Sequence, residues 1–147
     1  MLQTTLDRFT YVLNTVPPLL YKMEESEFSL KPSPEKWSKK EILGHLIDSA
    51  ANNHQRFVRA QFEDTPAIAY DQNKWNEFSY HQQMRKYDLV DFWLNYNRYF
   101  LKLIKLIPHF KLSKNVKVGD KTHTLQFIIE DYVVHMEYHL KQIVGEY

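Results

Sequence analysis

The chain has 147 residues, of which 44% are hydrophobic and 25% charged, and its formal net charge is +1 with the histidines neutral. These values predict one globular domain over residues 1–147 and give no electrostatic reason to expect a nucleic-acid partner. Cysteine is absent, which excludes disulfides, zinc–thiolate sites and a cysteine nucleophile. Because no apolar run is long enough to span a bilayer and the N-terminus lacks a secretory pattern, we expect a cytoplasmic protein with no membrane contact.

The first element is an amphipathic helix, since apolar residues recur at helical spacing from Leu2 to Val16. Pro17 and Pro18 are expected to close or kink this helix, because proline removes a backbone donor and crowds the preceding turn. The proline-containing segment 28–37 predicts a loop.

A second helix is predicted to begin at a capping box formed by Ser38 and Glu41. In this motif the serine hydroxyl accepts from a free backbone N–H and the glutamate side chain reaches back. The apolar pattern continues as far as Phe62. Lys39 and Lys40, in the first turn, are interpreted as a solvated face.

Residues 63–80 are the least regular part of the chain, although they contain several large aromatic rings. Two interpretations stay open for them: a wall or lid of a site, or a crossover connection packed by its own rings. The third long helix is predicted to start at Asp88 and to end at Pro108. Its wide apolar stripe indicates a core-facing helix.

Residues 116–124 alternate around Gly119 and Asp120, which predicts a short hairpin or an extended loop. Thr124 is a plausible N-cap for a last helix that runs to Ile143. Four long helices with wide apolar faces predict an all-α four-helix bundle. The long connection over residues 63–87 allows a crossover, so strict up-down topology is not implied.

Histidines are the candidate functional residues of this bundle. His135 and His139 stand four residues apart and share a helix face, while His45 lies at the edge of the apolar face of the second helix. Such a pair alone is more often structural, but three inward imidazoles with open positions form a catalytic metal pattern. Asp48 and Asp131 are each placed either to orient a ligand imidazole or to face solvent.

Two familiar metal motifs do not fit. A zincin protease has glutamate directly after the first histidine, where this chain has Met136. A di-iron bundle needs Glu-x-x-His pairs, whereas Glu41 and His45 are four residues apart. The remaining histidines stand in polar or loop contexts and are predicted to lie at the surface: His54, His81, His109 and His123.

Three segments resemble a known family. WSKKEILGHLIDS at residues 37–49 resembles the WS-x-x-E/Q-x-x-x-HL-x-D-S signature of the DinB-like superfamily, and HMEYHLKQI at residues 135–143 resembles its closing helix. EDTP at 63–66 and YDQNKW at 70–75 are similar to the YfiT-like branch, which is described as metal-dependent hydrolases and is related to bacillithiol S-transferases. The resemblance spans residues 37–143.

This resemblance implies a four-helix bundle, often dimeric, with a three-histidine metal site. Its ligand roles fall on His45, His135 and His139. Zinc and nickel are the ions that the resemblance implies, and a homodimer is the expected assembly.

Two classes of function follow. One is a metal-dependent enzyme acting on a small molecule, either a hydrolase whose ion lowers the pKa of water or a thiol S-transferase that activates a low-molecular-weight thiol cosubstrate. The absence of cysteine fits an external thiol. The alternative is a non-catalytic, stress-related metal-binding bundle, since no general base or other catalytic residue is identified beside the ligands.

Overall fold

The computed structural model describes residues 2–147 and confirms the all-α four-helix bundle. The four long helices each place one apolar face in a shared core, as their periodicity predicts. In chain order the elements are α1 (Leu2–Lys22), α2 (Glu25–Ser29), α3 (Lys39–Arg59), α4 (Gln72–Phe78), α5 (Lys86–Leu106), β1 (Asn115–Val118), β2 (Lys121–Thr124) and α6 (Leu125–Val144), with 3-10 turns at His81–Gln83 and His109–Lys111.

Helix α3 packs against α5 and α6, and α1 packs against the same two helices. The helices α3 and α5 run parallel. Near their starts Ser38 contacts Gln82, just before α5, and further along the ring of Phe57 packs on Phe100, with centroids 5.4 Å apart. Two parallel neighbours need a connection that returns along the bundle. Residues 60–85 are this crossover.

The other two helices run against this pair. Tyr132 of α6 packs on Phe57 of α3, while His135, further along α6, meets His45 nearer the start of α3. At the end of α1, the ring of Tyr21 stacks on the ring of Tyr87 near the start of α5. The long helices therefore follow an up, down, down, up order.

The core draws large side chains from all four long helices. Tyr132 sits among the rings of Phe9, Phe57 and Phe100, and its hydroxyl donates to Asn97 Oδ1 at 2.6 Å. Each fully buried leucine or phenylalanine side chain contributes about 1.5–3 kcal/mol relative to exposure. The largest fully buried side chains include Trp93, Phe9, Phe28, Phe57, Phe100, Leu20, Leu43, Leu46, Ile104, Leu125, Ile129 and Met136.

Of the two effects expected of Pro17 and Pro18, closing the first helix or kinking it, closure is wrong, because α1 continues through them to Lys22. The face that holds Pro17 is buried, and its packing outweighs the lost backbone donors. The helix end is also satisfied from outside. The buried ammonium of Lys86 donates to the carbonyl oxygen of Tyr21 at 2.7 Å.

Several other boundaries differ from the predicted ones. Helix α2, at residues 25–29, takes up the start of the loop expected at 28–37, α3 ends at Arg59 before Phe62, and α5 begins at Lys86 ahead of Asp88. The interpretation of Lys40 as solvated is also wrong. It is buried, and its ammonium lies 2.6 Å from a carboxylate oxygen of Glu25 on α2. A charge partner on a separate element caused this burial.

The predicted hairpin forms, with Val118 opposite Lys121 and Gly119 in the left-handed region at φ 62°. The crossover is hydrogen-bonded to strand β1 of this hairpin. The backbone N–H of Ile68 donates to the carbonyl of Lys117 at 3.0 Å, which fixes the path of the crossover beside β1. Within residues 2–147 no helix is long and apolar enough to cross a membrane.

Candidate functional site

Helix caps set the rotation of the two helices that carry the site. The predicted capping box is present at the start of α3: Ser38 Oγ accepts from the Glu41 backbone N–H at 3.1 Å, and Glu41 Oε1 accepts from the Ser38 backbone N–H at 3.0 Å. Thr124 Oγ1 accepts from the backbone N–H of Phe127 at 3.1 Å and caps α6. Both helices thus start at fixed residues, which determines the face that each later side chain occupies.

The structure brings the three predicted histidines together. Nε2 of His45 lies 3.2 Å from Nε2 of His135. One ring nitrogen from each of His45, His135 and His139 falls within 4.8 Å of the other two. His45 is 1% exposed, and the pair on α6 is half-buried. The cluster therefore lies in the α3–α6 interface with one side open.

Burial keeps two histidines of the cluster, His45 and His135, neutral. Loss of solvation, with a smaller contribution from the neighbouring imidazoles, lowers the pKa of His45 to about 3. Burial likewise lowers the pKa of His135 to about 4, with Asp131 opposing the effect. Neutral imidazoles have the free lone pair that a metal ligand needs.

The third histidine has its tautomer selected by a neighbour. Nδ1 of His139 lies 2.8 Å from Oε1 of Gln142, one turn away on α6. Because the amide oxygen only accepts, Nδ1 carries the proton and Nε2 keeps its lone pair. Three imidazoles with an open side form a donor set that fits a divalent metal ion.

Asp48 is placed to orient a different histidine from the one expected. Its Oδ1 lies 3.0 Å from Nε2 of His81, and both side chains are buried. The surface placement predicted for His81 is wrong. The crossover brings it against α3, where a Cβ added at Gly44 would lie 2.2 Å from the His81 ring.

Asp131 is exposed and acts on the cluster through its charge. It favours the protonated form of His135, although no described hydrogen bond joins the two side chains. The Nδ1 atom of His45 is buried and has no hydrogen-bond partner within residues 2–147. Neither aspartate therefore orients a ligand imidazole by direct contact.

Three polar residues of the site escaped prediction from the sequence. Ser49, Asn53 and Arg56 follow His45 at spacings of four, eight and eleven, which places them on one stripe of α3. All three are buried. Together with Tyr70 of the crossover and His135 they line a cavity of about 110 Å³. The signal was available, since polar residues at helical spacing on an otherwise core-facing helix are unusual.

A second and wider depression reaches the cluster through His139. It has a volume of about 530 Å³ and is lined by Trp37, Gln72 and Gln142 among others. The Trp37 ring packs on His45, with centroids 5.0 Å apart. The histidines are therefore accessible along two paths, one narrow and polar and one broad.

The remaining histidines stay apart from the cluster. His109 is exposed, as predicted. His54 is half-buried, with Nδ1 2.8 Å from the hydroxyl of Tyr96. His123 is half-buried and stacks on Phe127.

Comparisons with known proteins agree with this architecture. The model of the family described as "Protein of unknown function (DUF1572)" matches residues 1–145. The chain is 33% identical over 76 residues to "Putative metal-dependent hydrolase YfiT" of Bacillus subtilis (strain 168), an alignment that covers 48% of this chain and 43% of that protein.

A solved structure of YfiT from Bacillus subtilis, reported as a probable metal-dependent hydrolase with an unusual four-helix bundle topology, superposes with a TM-score of 0.80. The superposition covers 94% of this chain and 83% of that chain at 23% identity. The structural likeness establishes the fold, and the sequence match to YfiT confirms the resemblance to the YfiT-like branch.

Proposed function

The chain belongs to the DUF1572 family, and from its likeness to YfiT together with the histidine cluster we propose that it is a metal-dependent hydrolase acting on a small molecule. The proposed ligands are His45, His135 and His139. The observation that carries the proposal is the convergence of three imidazole nitrogens within 4.8 Å of one another at the wall of a cleft.

The side chains around the cluster are suited to this role. Burial keeps His45 and His135 in the neutral form that ligates, and Gln142 holds His139 in the tautomer with a free Nε2. The ring of Trp37 packs on His45 and contributes to its burial. A divalent ion bound by these three ligands, zinc or nickel, would polarise a carbonyl group or lower the pKa of water.

A second candidate is a thiol S-transferase. Its support is the pair of separate depressions, because a group transfer needs room for a low-molecular-weight thiol cosubstrate as well as an electrophile. The chain has no cysteine of its own to act as the nucleophile. The homodimer and the cytoplasmic location remain predictions. Light scattering on purified protein tests the homodimer.

The first experiment is metal analysis by plasma mass spectrometry on untagged protein purified without chelators. We expect close to one equivalent of zinc or nickel in the wild-type protein. His135→Ala should lose tight metal binding while circular dichroism shows unchanged helical content, and His45→Ala should lose it as well. His109→Ala, at an exposed histidine outside the cluster, should keep the metal.

Either of two results would overturn the ligand assignment. One is stoichiometric metal retained by His135→Ala. The other is wild-type protein that takes up no ion on titration with zinc, nickel or manganese. Turnover is then measured on metal-loaded protein with aryl esters, and separately with a thiol plus an aryl halide. A metal-loaded protein that is inactive in both assays would favour the non-catalytic, stress-related alternative.

A further inference from the structure

Arg56 is a buried cation without a counterion. It is 8% exposed, and none of the ion pairs among residues 2–147 includes it. Arginine stays protonated in proteins, so this is a permanent charge in a poorly hydrated place. Buried charges of this kind are normally paired. The position therefore favours an anion in direct contact with Arg56, which no carboxylate of residues 2–147 provides, since Asp131 acts on it electrostatically without forming an ion pair.

The hydrogen bonds of Arg56 leave part of its guanidinium group free. Nε and Nη2 donate to the carbonyl oxygen of Ile68, at 3.2 and 2.9 Å, and Nη1 donates to Asn53 Oδ1 at 3.1 Å. A guanidinium group has five N–H donors. Two of them have no acceptor in the described part of the chain. Both of the existing acceptors are neutral, and together they fix the plane of the group.

Arg56 lines the 110 Å³ cavity that His135 also lines. Ser49, Asn53 and Tyr70 add polar atoms to its wall, and Ile128 and Tyr132 add an apolar side. A water molecule has a share of roughly 30 Å³ in the liquid. The cavity therefore has space for a carboxylate group and a short carbon chain.

A charge at the rim narrows the choice of anion. Asp131 lines the same cavity, is exposed, and interacts electrostatically with both Arg56 and His135. The negative charge of Asp131 repels a bound dianion more strongly than a bound monoanion. This favours a carboxylate group over a doubly charged phosphate group. Planar oxygen pairs also match the fork of the guanidinium group, which binds them through two parallel N–H bonds.

We propose that Arg56 binds a carboxylate group of the substrate, so that the substrate lies in the polar cavity with its reacting bond at the histidine cluster. This inference rests on the proposed function for the identity of the reacting end. The carboxylate site itself requires only Arg56 and its neighbours. A purely structural role for Arg56, fastening the crossover through Ile68, would leave the two free donors and the cavity without purpose.

The test uses metal-free protein labelled with ¹⁵N and titrated with sodium acetate at constant ionic strength. We expect saturable shifts of the Arg56 side-chain resonances and of the Asn53 and Tyr70 amides. Arg56→Met should abolish these shifts. Arg59→Met is the matched control, because Arg59 lies on the same helix but is paired with Glu63 at the surface, and it should leave them unchanged.

Arg56→Lys keeps the charge without the fork and should weaken acetate binding at least tenfold. This variant and the wild-type titration keep the test decisive if Arg56→Met fails to fold. The proposal is overturned if acetate causes no saturable shift, if a folded Arg56 variant responds as the wild type does, or if chloride and phosphate give the same response, which would mean an adventitious ion only.

A kinetic readout separates this inference from the proposed function. Two esters are compared on metal-loaded protein: para-nitrophenyl hydrogen succinate, which carries a free carboxylate, and para-nitrophenyl acetate, which does not. If the protein hydrolyses both, Arg56→Lys should raise KM at least tenfold for the succinate ester and leave KM unchanged for the acetate ester.

The two failures are distinguishable. Acetate binding by a protein without hydrolytic activity would refute the function alone. Hydrolysis without acetate binding, and with equal changes in KM for both esters, would refute the carboxylate site alone.

Discussion

Gly44 has no side chain, and this leaves space for His81 against α3. Its position in the middle of α3 would ordinarily favour a residue with a side chain, since glycine costs about 1 kcal/mol relative to alanine in a helix. Here the side chain of His81 fills the space, and an added Cβ would stand 2.2 to 2.6 Å from three carbon atoms of that side chain. The glycine thus admits the His81–Asp48 pair directly beside His45.

We predict that Gly44→Ala destabilises the protein by about 1–3 kcal/mol, because overpacking outweighs the gain in helix propensity. Urea denaturation measures the change. In the double variant Gly44→Ala with His81→Ala the clash is removed, so the two effects should be strongly non-additive. Additive losses would show that the ring does not constrain Gly44.

The histidines also predict an acid-sensitive stability. The folded-state pKa values of His45 and His135 lie near 3 and 4, below the ordinary value of 6.5. The unfolded chain therefore binds more protons below pH 6.5, and this contribution to stability falls as the pH drops from 6.5 towards 4. Chemical denaturation in EDTA from pH 7.5 to 4 should show a shallower decline in His135→Gln than in His109→Ala. Equal slopes would contradict the prediction.

The position of a side chain could be predicted from the sequence where contacts within its own helix determine it. His45, His135 and His139 could be placed because helix spacing alone fixes their faces. His81 and Lys40 could not, because their burial depends on where the crossover and α2 pass over α3. The burial of Arg56 is indicated in the sequence only by its spacing from His45, Ser49 and Asn53, since an arginine on a helix is usually exposed.

At the scale of elements, α3 carries most of the site and its first turn is unusually well anchored. Ser38 is fully buried, caps the helix, and also contacts Gln82 in the turn before α5. Glu41 completes the box and pairs with Lys31 at 2.6 Å. One serine thus joins the start of α3 to the start of its parallel neighbour.

We predict that Ser38→Ala destabilises the protein by about 1–2 kcal/mol, at the upper end for an N-cap, because a buried contact is lost as well. Thr124→Ala, which removes an exposed cap on α6, should cost less. Thermal denaturation of the two variants gives the comparison. A larger loss for Thr124→Ala would show that the contact with Gln82 adds nothing.

Helix boundaries were harder to predict than helix identity. The prolines of α1 illustrate the reason, since their effect depends on whether other groups replace the lost hydrogen bonds. Lys86, distant in the sequence, satisfies the end of that helix. No local pattern contains that information. The capping box, the hairpin and the N-cap at Thr124 were predictable because each is complete within a few residues.

At the scale of the whole molecule, the proposed ion would link elements that are distant in sequence. His45 lies on α3 and the other two ligands lie on α6, so binding would join the two helices. A ligand that binds only the folded state stabilises it, by about 2.7 kcal/mol at a concentration of one hundred times Kd. Stability should therefore report on metal occupancy.

We predict that zinc raises the melting temperature of the wild-type protein and of His109→Ala, and has no such effect on His139→Ala. Differential scanning calorimetry with and without EDTA measures these shifts. An equal rise in all three proteins would place the bound zinc outside the cluster.

The parallel course of α3 and α5 has a consequence for how this fold can change. The polypeptide that must return between the two helices also supplies Tyr70 and Gln72 to the two depressions. The same segment is anchored at Ile68, His81 and Gln82, which contact β1, Asp48 and Ser38. Exchanges at Tyr70 and Gln72, between these anchors, can therefore change the walls of both depressions while the path of the crossover stays fixed.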